Sequence, residues 1–314
     1  MTTEKNTKSK AAIAVTEILV AAVLWGTIGI FVDKMSSFGL DSMQIVFLRA
    51  VTAALGLFLY VLAADRESLR IRLRDVWIFV GTGVVSFVFF NFCYFTCIQI
   101  ASLPVAAALL YTAPVFVMLL SVLLFHEKMT AQKMTAMLAT VCGCILLSGI
   151  FSQQKGISAA GLLLGIASGF LYGLYSIFGQ IGIRRGYRSM TITVYTFLFA
   201  AVSSAVFTDV GATFVSVAGT EGMVWTVLLG VLTCIAPYLL YTAGLTRTEA
   251  SSAAVIATME PAVAAVIGFC YFRDEISVPK IAGIVLILSA VILLNLKRKH
   301  RRRGGDFLEC EEEA

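Results

Sequence analysis

Glu260 stands about halfway along a long apolar run and is followed at once by Pro261. An ionised side chain at mid-membrane depth costs on the order of 2.5–3.5 kcal/mol on insertion scales, so a chain that keeps one there gives it a partner or a use. Proline removes a helix hydrogen bond and frees a carbonyl in the preceding turn. A carboxylate beside freed backbone can bind an ammonium group or a proton; it can equally hydrogen-bond to that backbone, or to Arg49, and simply fix the kink. Pro114 repeats the proline without the acid, since Ala113 precedes it. Arg49, the other charge deep in a run, reads either as a structural ion pair or interface anchor or as a captor of a substrate carboxylate. Asn91 is a polar group that needs a partner, by default on a neighbouring helix.

Aromatic residues complete the set. Trp25 and Tyr172 fall near the middle of their runs, Tyr94 and Tyr241 near run ends, and Tyr111, Tyr175 and Tyr238 lie between. The candidates for a substrate cavity are therefore Trp25, Asn91, Tyr94, Tyr111, Tyr172, Tyr175, Tyr238, Tyr241 and Glu260. Arg49, Pro114 and Pro261 are assigned structural and kinking roles. Trp25 and Tyr172 would wall a central site, and Tyr94 and Tyr241 would help to close opposite mouths; the plainer alternative is packing or membrane-belt aromatics. No comparable set exists for metal or nucleophilic chemistry. His126 sits at a run end and His300 in the tail, and Cys93 and Cys97 share a helix face without further ligands at zinc spacing. No Gly-x-x-x-x-Gly-Lys-Ser/Thr loop is present for a nucleotide. No cofactor and no metal are expected.

The elements that must position these residues follow from composition. Of 314 residues 59% are hydrophobic and 14% charged, against about a quarter charged in an ordinary soluble domain. One core could not hide that apolar surface from water, so lipid is the solvent. Apolar runs of roughly 17–25 residues are long enough to cross a bilayer as helices; they lie near 14–32, 42–63, 76–98, 103–125, 132–150, 160–182, 190–208, 223–244, 251–272 and 280–296. The first is retained rather than cleaved, because nine similar runs follow and no small-residue cleavage site closes it. The connections leave no room for an extramembrane domain. Gly161, Gly165, Gly169 and Gly173 form one stripe along the sixth run, a pattern that lets helix backbones approach closely.

With the N-terminus inside, the inner segments carry nineteen Lys and Arg residues, including Arg66, Arg70, Arg72, Arg74, Arg184, Arg185, Arg188 and six between 297 and 303. The outer side carries Lys34, Lys155, Arg273 and Lys280. This asymmetry predicts that both termini are cytoplasmic. The net charge of +5 is distributed by topology and is no nucleic-acid signal. The basic cluster after the last run holds the C-terminus inside and can attract anionic lipid.

A gapless internal repeat runs through the chain at an offset of 147 residues. Trp25-Gly26 matches Tyr172-Gly173, Ser42-Met43 matches Ser189-Met190, and Gly83-Val84 matches Gly230-Val231. Tyr94 likewise matches Tyr241, Pro114 matches Pro261, and Lys133 matches Lys280. Five runs per copy is an odd number, so the second copy is upside down relative to the first. The predicted fold is an all-α integral membrane protein of ten transmembrane helices arranged as two inverted five-helix repeats, the architecture of alternating-access transporters. Residues 1–11 form a cytoplasmic segment, 12–150 and 159–296 the two repeats, and 297–314 a basic and then acidic tail.

Spans 4 and 9 carry a resemblance. Ala106-Ala107-Ala108 with Tyr111-Thr112-Ala113-Pro114-Val115-Phe116, then His126-Glu127 and Gly143, is matched by Ser252-Ala253-Ala254 with Met259-Glu260-Pro261-Ala262 and Asp274-Glu275. In this order and duplication the chain resembles the drug/metabolite transporter superfamily, specifically its EamA-type branch, over about residues 12–296. The resemblance implies a metabolite transporter, often an exporter of amino acids or related small molecules, with a central cavity lined by both halves. The expectation is a secondary transporter moving a small organic metabolite, such as an amino acid or amine, across the plasma membrane by alternating access, in the direction of export, with lipid and substrate as partners and a homodimer compatible. The alternatives are a non-transporting membrane sensor or scaffold and an intramembrane enzyme. The second would need a nucleophile–base set that the runs lack.

Overall fold

The computed structural model describes residues 2–152, 158–275 and 277–300. Lys155 and the end of the tail, residues 301–314, lie outside the described residues.

Ten helices follow the ten runs: α1 (Ala11–Ser37), α2 (Ser42–Ala64), α3 (Leu73–Ile100), α4 (Leu103–Phe125), α5 (Ala131–Ser148), α6 (Ala159–Arg184), α7 (Ser189–Phe207), α8 (Thr220–Leu245), α9 (Ala250–Cys270) and α10 (Val278–His300). Among the described residues there is no strand, as backbone groups facing lipid require. The ends are set by local chemistry. Asp41 caps α2 by accepting from the Met43 and Gln44 amides while Gln44 Oε1 accepts from the Asp41 amide, a capping box. Ser158 and Thr130 cap α6 and α5. A short helix not anticipated from sequence, Val210–Ser216, begins the α7–α8 connection and is capped by Asp209.

The two repeats exchange partners across a pseudo-twofold. Helix α1 packs on α8 and α9 of the second repeat, and its counterpart α6 packs on α3 and α4 of the first. Helix α2 lies against α7 and α8, α7 against α2 and α3, and α5 against α10. Each repeat therefore completes the other. Glycine makes the closest of these contacts possible. A methyl group on Gly143 of α5 would lie 2.8 Å from the Gly283 carbonyl oxygen of α10, and one on Gly283 would lie 2.6 Å from that of Gly143. Their repeat mates, Ala290 and Ala136, are both buried. The α6 stripe serves the same end: Gly169 faces the Leu109 and Leu110 carbonyls of α4, and Gly173 faces Val117.

Several helices are not continuous. α4 breaks between Leu110 and Ala113, just before Pro114, and α9 breaks at Thr258, before Pro261. The breaks are what the prolines predict. Helices α3 and α8 each widen into π-helical turns, Gly81–Phe89 and Val231–Ile235, at overlapping positions of the repeat. α1 breaks at Thr27, whose hydroxyl donates to the Leu24 carbonyl at 2.7 Å, while α6 runs unbroken.

Candidate functional site

The breaks of α4 and α9 face each other across the middle of the bundle, with α1, α6, α3 and α8 closing the sides. They enclose a cavity of about 30 Å³. A water needs about 10–15 Å³ by this measure, so the site as it stands holds a few waters and must widen to admit a metabolite. Trp25, Tyr111, Pro114, Tyr172, Tyr175, Tyr238, Tyr241 and Glu260 all line it, together with Ser86, Ser176 and Thr258. Among the lining residues Glu260 is the one carboxylate, and there is no Lys, Arg or His.

Glu260 follows the α9 break, and Tyr172 Oη donates to its Oε2 at 2.9 Å. Position in the first turn after the break also turns the positive end of a helix dipole toward the carboxylate. Tyr172 is held by Phe90 of α3, ring centroids 5.1 Å apart. On the other side of the cavity four aromatic rings form a floor. Trp25 meets Tyr238 edge-on at 5.2 Å and Tyr241 at 5.4 Å, and Tyr175 meets Tyr238 edge-on at 4.9 Å. Such pairs add about 0.5–1.5 kcal/mol each beyond the area they bury. The hydroxyls are tied as well: Tyr241 Oη pairs with Ser176 Oγ at 2.7 Å, and Tyr175 Oη with Thr242 Oγ1 at 2.8 Å.

The repeat is therefore symmetric in sequence but not in state. Trp25 and Tyr241 are buried, 7% and 3% exposed, while their counterparts Tyr172 and Tyr94 are half-buried. The floor lies toward the end of the bundle that carries Arg66, Arg185, Arg188 and Arg247, here called the basic end. That end is tied by ions. Asp75 accepts from Tyr187 Oη at 2.7 Å and pairs with Arg185; Arg188 meets Asp65 and Glu67; and Arg247 meets Glu17 at 2.6 Å. At the far end Lys34 meets Glu221 at 2.7 Å, and Phe31, Met35, Leu40, Val217 and Leu229 form an apolar cluster.

Two cavity candidates, Asn91 and Tyr94, lie elsewhere. Asn91 is buried and spends its amide on its own helix, Nδ2 donating to the Phe87 carbonyl at 2.7 Å. Tyr94 packs on Phe90 and Phe95 rather than on the cavity. Arg49 reaches neither Glu260 nor another carboxylate. Its Nε donates to Thr233 Oγ1 at 3.0 Å and its Nη2 to the Thr233 carbonyl at 3.4 Å, with the guanidinium 5.5 Å from the Phe87 ring centroid. Pro237 has no N–H and so makes no helical bond to the Thr233 carbonyl four residues back. Arg49 thus ties the first repeat to the α8 backbone of the second. Sequence reading missed Ser176, Thr258 and Ser86 as cavity residues. Serine and threonine bond their own helix backbone so often that nothing in their spacing marks them.

Among the described residues no group of three or more His, Cys, Asp or Glu side chains is placed to hold a metal.

Comparison with known proteins supports the same architecture. A model of the EamA-like transporter family matches residues 12–149 and again 159–296. An uncharacterized transporter of Archaeoglobus fulgidus is 27% identical over 276 residues, covering 88% of this chain and 94% of that one. The uncharacterized inner membrane transporter YicL of Salmonella typhimurium is 23% identical, covering 92% and 97%. A protein of known crystal structure superposes with a TM-score of 0.75 at 16% identity, over 91% of this chain and 98% of that chain. At that identity the likeness speaks for the fold alone.

Proposed function

The chain belongs to the EamA-like transporter family, and on that premise we propose that this multi-pass membrane transporter moves a small organic amine by alternating access. One observation carries the reading. A cavity at mid-depth, walled by both repeats, presents a single carboxylate ringed by aromatic faces and no basic side chain. A protonated amine meets both attractions there, the Glu260 carboxylate and the ring quadrupoles of Tyr172, Tyr111 and Trp25. A free carboxylate on the substrate would meet Glu260 with no compensating cation, since Arg49 is engaged by Thr233. Amines therefore suit the site better than amino acid zwitterions.

The basic end faces the cytoplasm, because a 19-to-4 excess of Lys and Arg sets orientation. Both termini are then cytoplasmic, and the plasma membrane is the host, in keeping with the inner membrane named for the Salmonella relative. The aromatic floor and the ion pairs seal the basic end. For export, the cavity loads after the basic end opens.

The test is flux into and out of liposomes that contain the purified protein, preceded by a thermal-shift screen against amines, amino acids, nucleosides and sugars. Stabilisation and flux with amines, abolished in Glu260→Gln, are expected. Flux of zwitterions with amines inert would overturn the substrate class, and no flux of any solute would leave the scaffold reading in its place.

A further inference from the structure

Two acids outside the cavity occupy equivalent places, 147 residues apart: Glu127 after α4 and Asp274 after α9. Their backbones match in detail. The residues just before them, His126 and Arg273, are the non-glycine residues with positive φ among the described residues, at 56° and 58°. The Glu127 amide donates to the Ser121 carbonyl at 3.3 Å, and the Asp274 amide donates to the Gly268 carbonyl at 3.0 Å; Ser121 and Gly268 are again repeat mates. A left-handed residue costs roughly 1–2 kcal/mol. Its recurrence with unrelated side chains, His and Arg, shows that the turn is imposed by the position and not by the residue.

The side chains, however, are in opposite states. Glu127 is buried, 8% exposed, and reaches across the seam between the repeats to the start of α9. Its Oε1 accepts from the Ala250 amide at 3.1 Å, and its Oε2 accepts from Ser251 Oγ and lies 3.5 Å from Lys133 Nζ. Lys133 in turn meets Glu249 at 2.6 Å. Glu249, the residue before α9, offers no side-chain cap, so Glu127 supplies the anion that the open amides and the helix dipole favour. The repeat assigns Asp274 the matching partner, the start of α4 at Leu103, with Lys280 standing for Lys133. Here Asp274 is exposed, its Oδ2 2.7 Å from where a methyl on Gly268 would lie. Lys280 donates to the Glu275 carbonyl at 3.3 Å, and the amide of Val105 near the α4 start is capped by Ser102.

We propose that Glu127 and Asp274 are positioning residues that alternate: Glu127 docked on α9 holds the basic end shut, as in this structure, and Asp274 docks on α4 to hold the far end shut once Glu127 has released. The two latches are unequal. Pro104 stands in the place of Ser251 and Ser102 in that of Glu249, so the far latch lacks a hydroxyl donor and a bridging carboxylate. The state closed at the basic end is therefore the resting state. This inference rests on the alternating-access reading but not on any substrate, and distances measured without substrate separate the failure of one from that of the other.

The experiment is pulsed dipolar spectroscopy on the full chain in lipid, in a background free of native cysteines. Spin labels at Lys128 and Thr246 report the basic end, and labels at Gln99 and Tyr271 the far end; all four sites are exposed. The wild type should show a short basic-end and a long far-end distance. In E127Q the population should move at least tenfold toward a longer basic-end and a shorter far-end distance, and D274N placed in the E127Q background should reverse that shift. E127D keeps the charge but shortens the reach, and it replaces E127Q with the same expected direction if E127Q does not fold. Distances unmoved by E127Q, or a far-end shift that persists in E127Q/D274N, would overturn the proposal.

Discussion

At the residue scale the site depends on one carboxylate and one hydrogen bond to it. Tyr172 donates to Glu260, and a bond to a charged group is worth roughly 1.5–3 kcal/mol. Tyr172→Phe keeps the ring and removes the donor, so amine transport in Y172F should survive with KM raised or kcat lowered about tenfold; an unchanged kcat/KM would show that the pair is incidental. Arg49 acts through α8 and not through substrate. Arg49→Met strips the Thr233 carbonyl of its donor and should lower thermal stability in detergent by roughly 1.5–3 kcal/mol, whereas KM for amines in the folded fraction should stay near wild type. A selective rise in KM would instead favour the alternative in which Arg49 captures substrate. Much at this scale is legible in the order of residues. An acid before a proline and aromatics at mid-run are costly or unusual in lipid, so they point inward by themselves. The partner of Arg49 is not legible there, because it lies 184 residues away.

At the scale of the helix, function depends on interruptions. The breaks before Pro114 and Pro261 place half-helix ends at mid-depth, and Gly169 brings α6 down on the Leu109 and Leu110 carbonyls beside the first break. Proline chemistry makes these breaks predictable. The π-helical turns of α3 and α8 are not, since they depend on how the widened turns pack against α7 and α2. Gly83 shows the constraint. A methyl there would collide with the Thr196 carbonyl and sit 2.9 Å from Phe199 Cβ, and backbone cannot move aside as a flexible side chain can. Gly83→Ala should therefore cost about 1–3 kcal/mol, the usual range for overpacking, read as a lower melting midpoint. Gly211→Ala, in the short helix of the α7–α8 connection, meets at closest Asp209 Oδ1 at 3.5 Å and should be close to neutral. Equal effects would mean that α3 and α7 have room to part.

Taken whole, the molecule is a near-symmetric pair of repeats whose two ends are built from different chemistry. The repeat, the ten spans and the inversion can be read from sequence, because lipid allows few architectures and the residues themselves recur at an offset of 147. The state cannot, since the same chain supports either closure. At the basic end Asp75, Arg185 and Tyr187 tie the repeats; their mates Gly222, Phe38 and Leu40 carry no charge, and the far end has its apolar cluster instead. Ionic and apolar closures respond oppositely to salt. Exposed pairs such as Arg188 with Asp65 and Glu67 contribute about 0–1 kcal/mol and are screened, whereas apolar contacts are not weakened by salt. Opening of the basic end should therefore become easier as ionic strength rises. Amine exchange by the wild type should accelerate about two- to threefold between low salt and about 0.5 M, the fold-change that roughly 0.5 kcal/mol supplies. Arg188→Gln removes the most exposed of these pairs, so R188Q should begin faster at low salt and respond less. A wild-type rate that falls with salt, or an R188Q response equal to that of the wild type, would place the ionic control of opening elsewhere in the molecule.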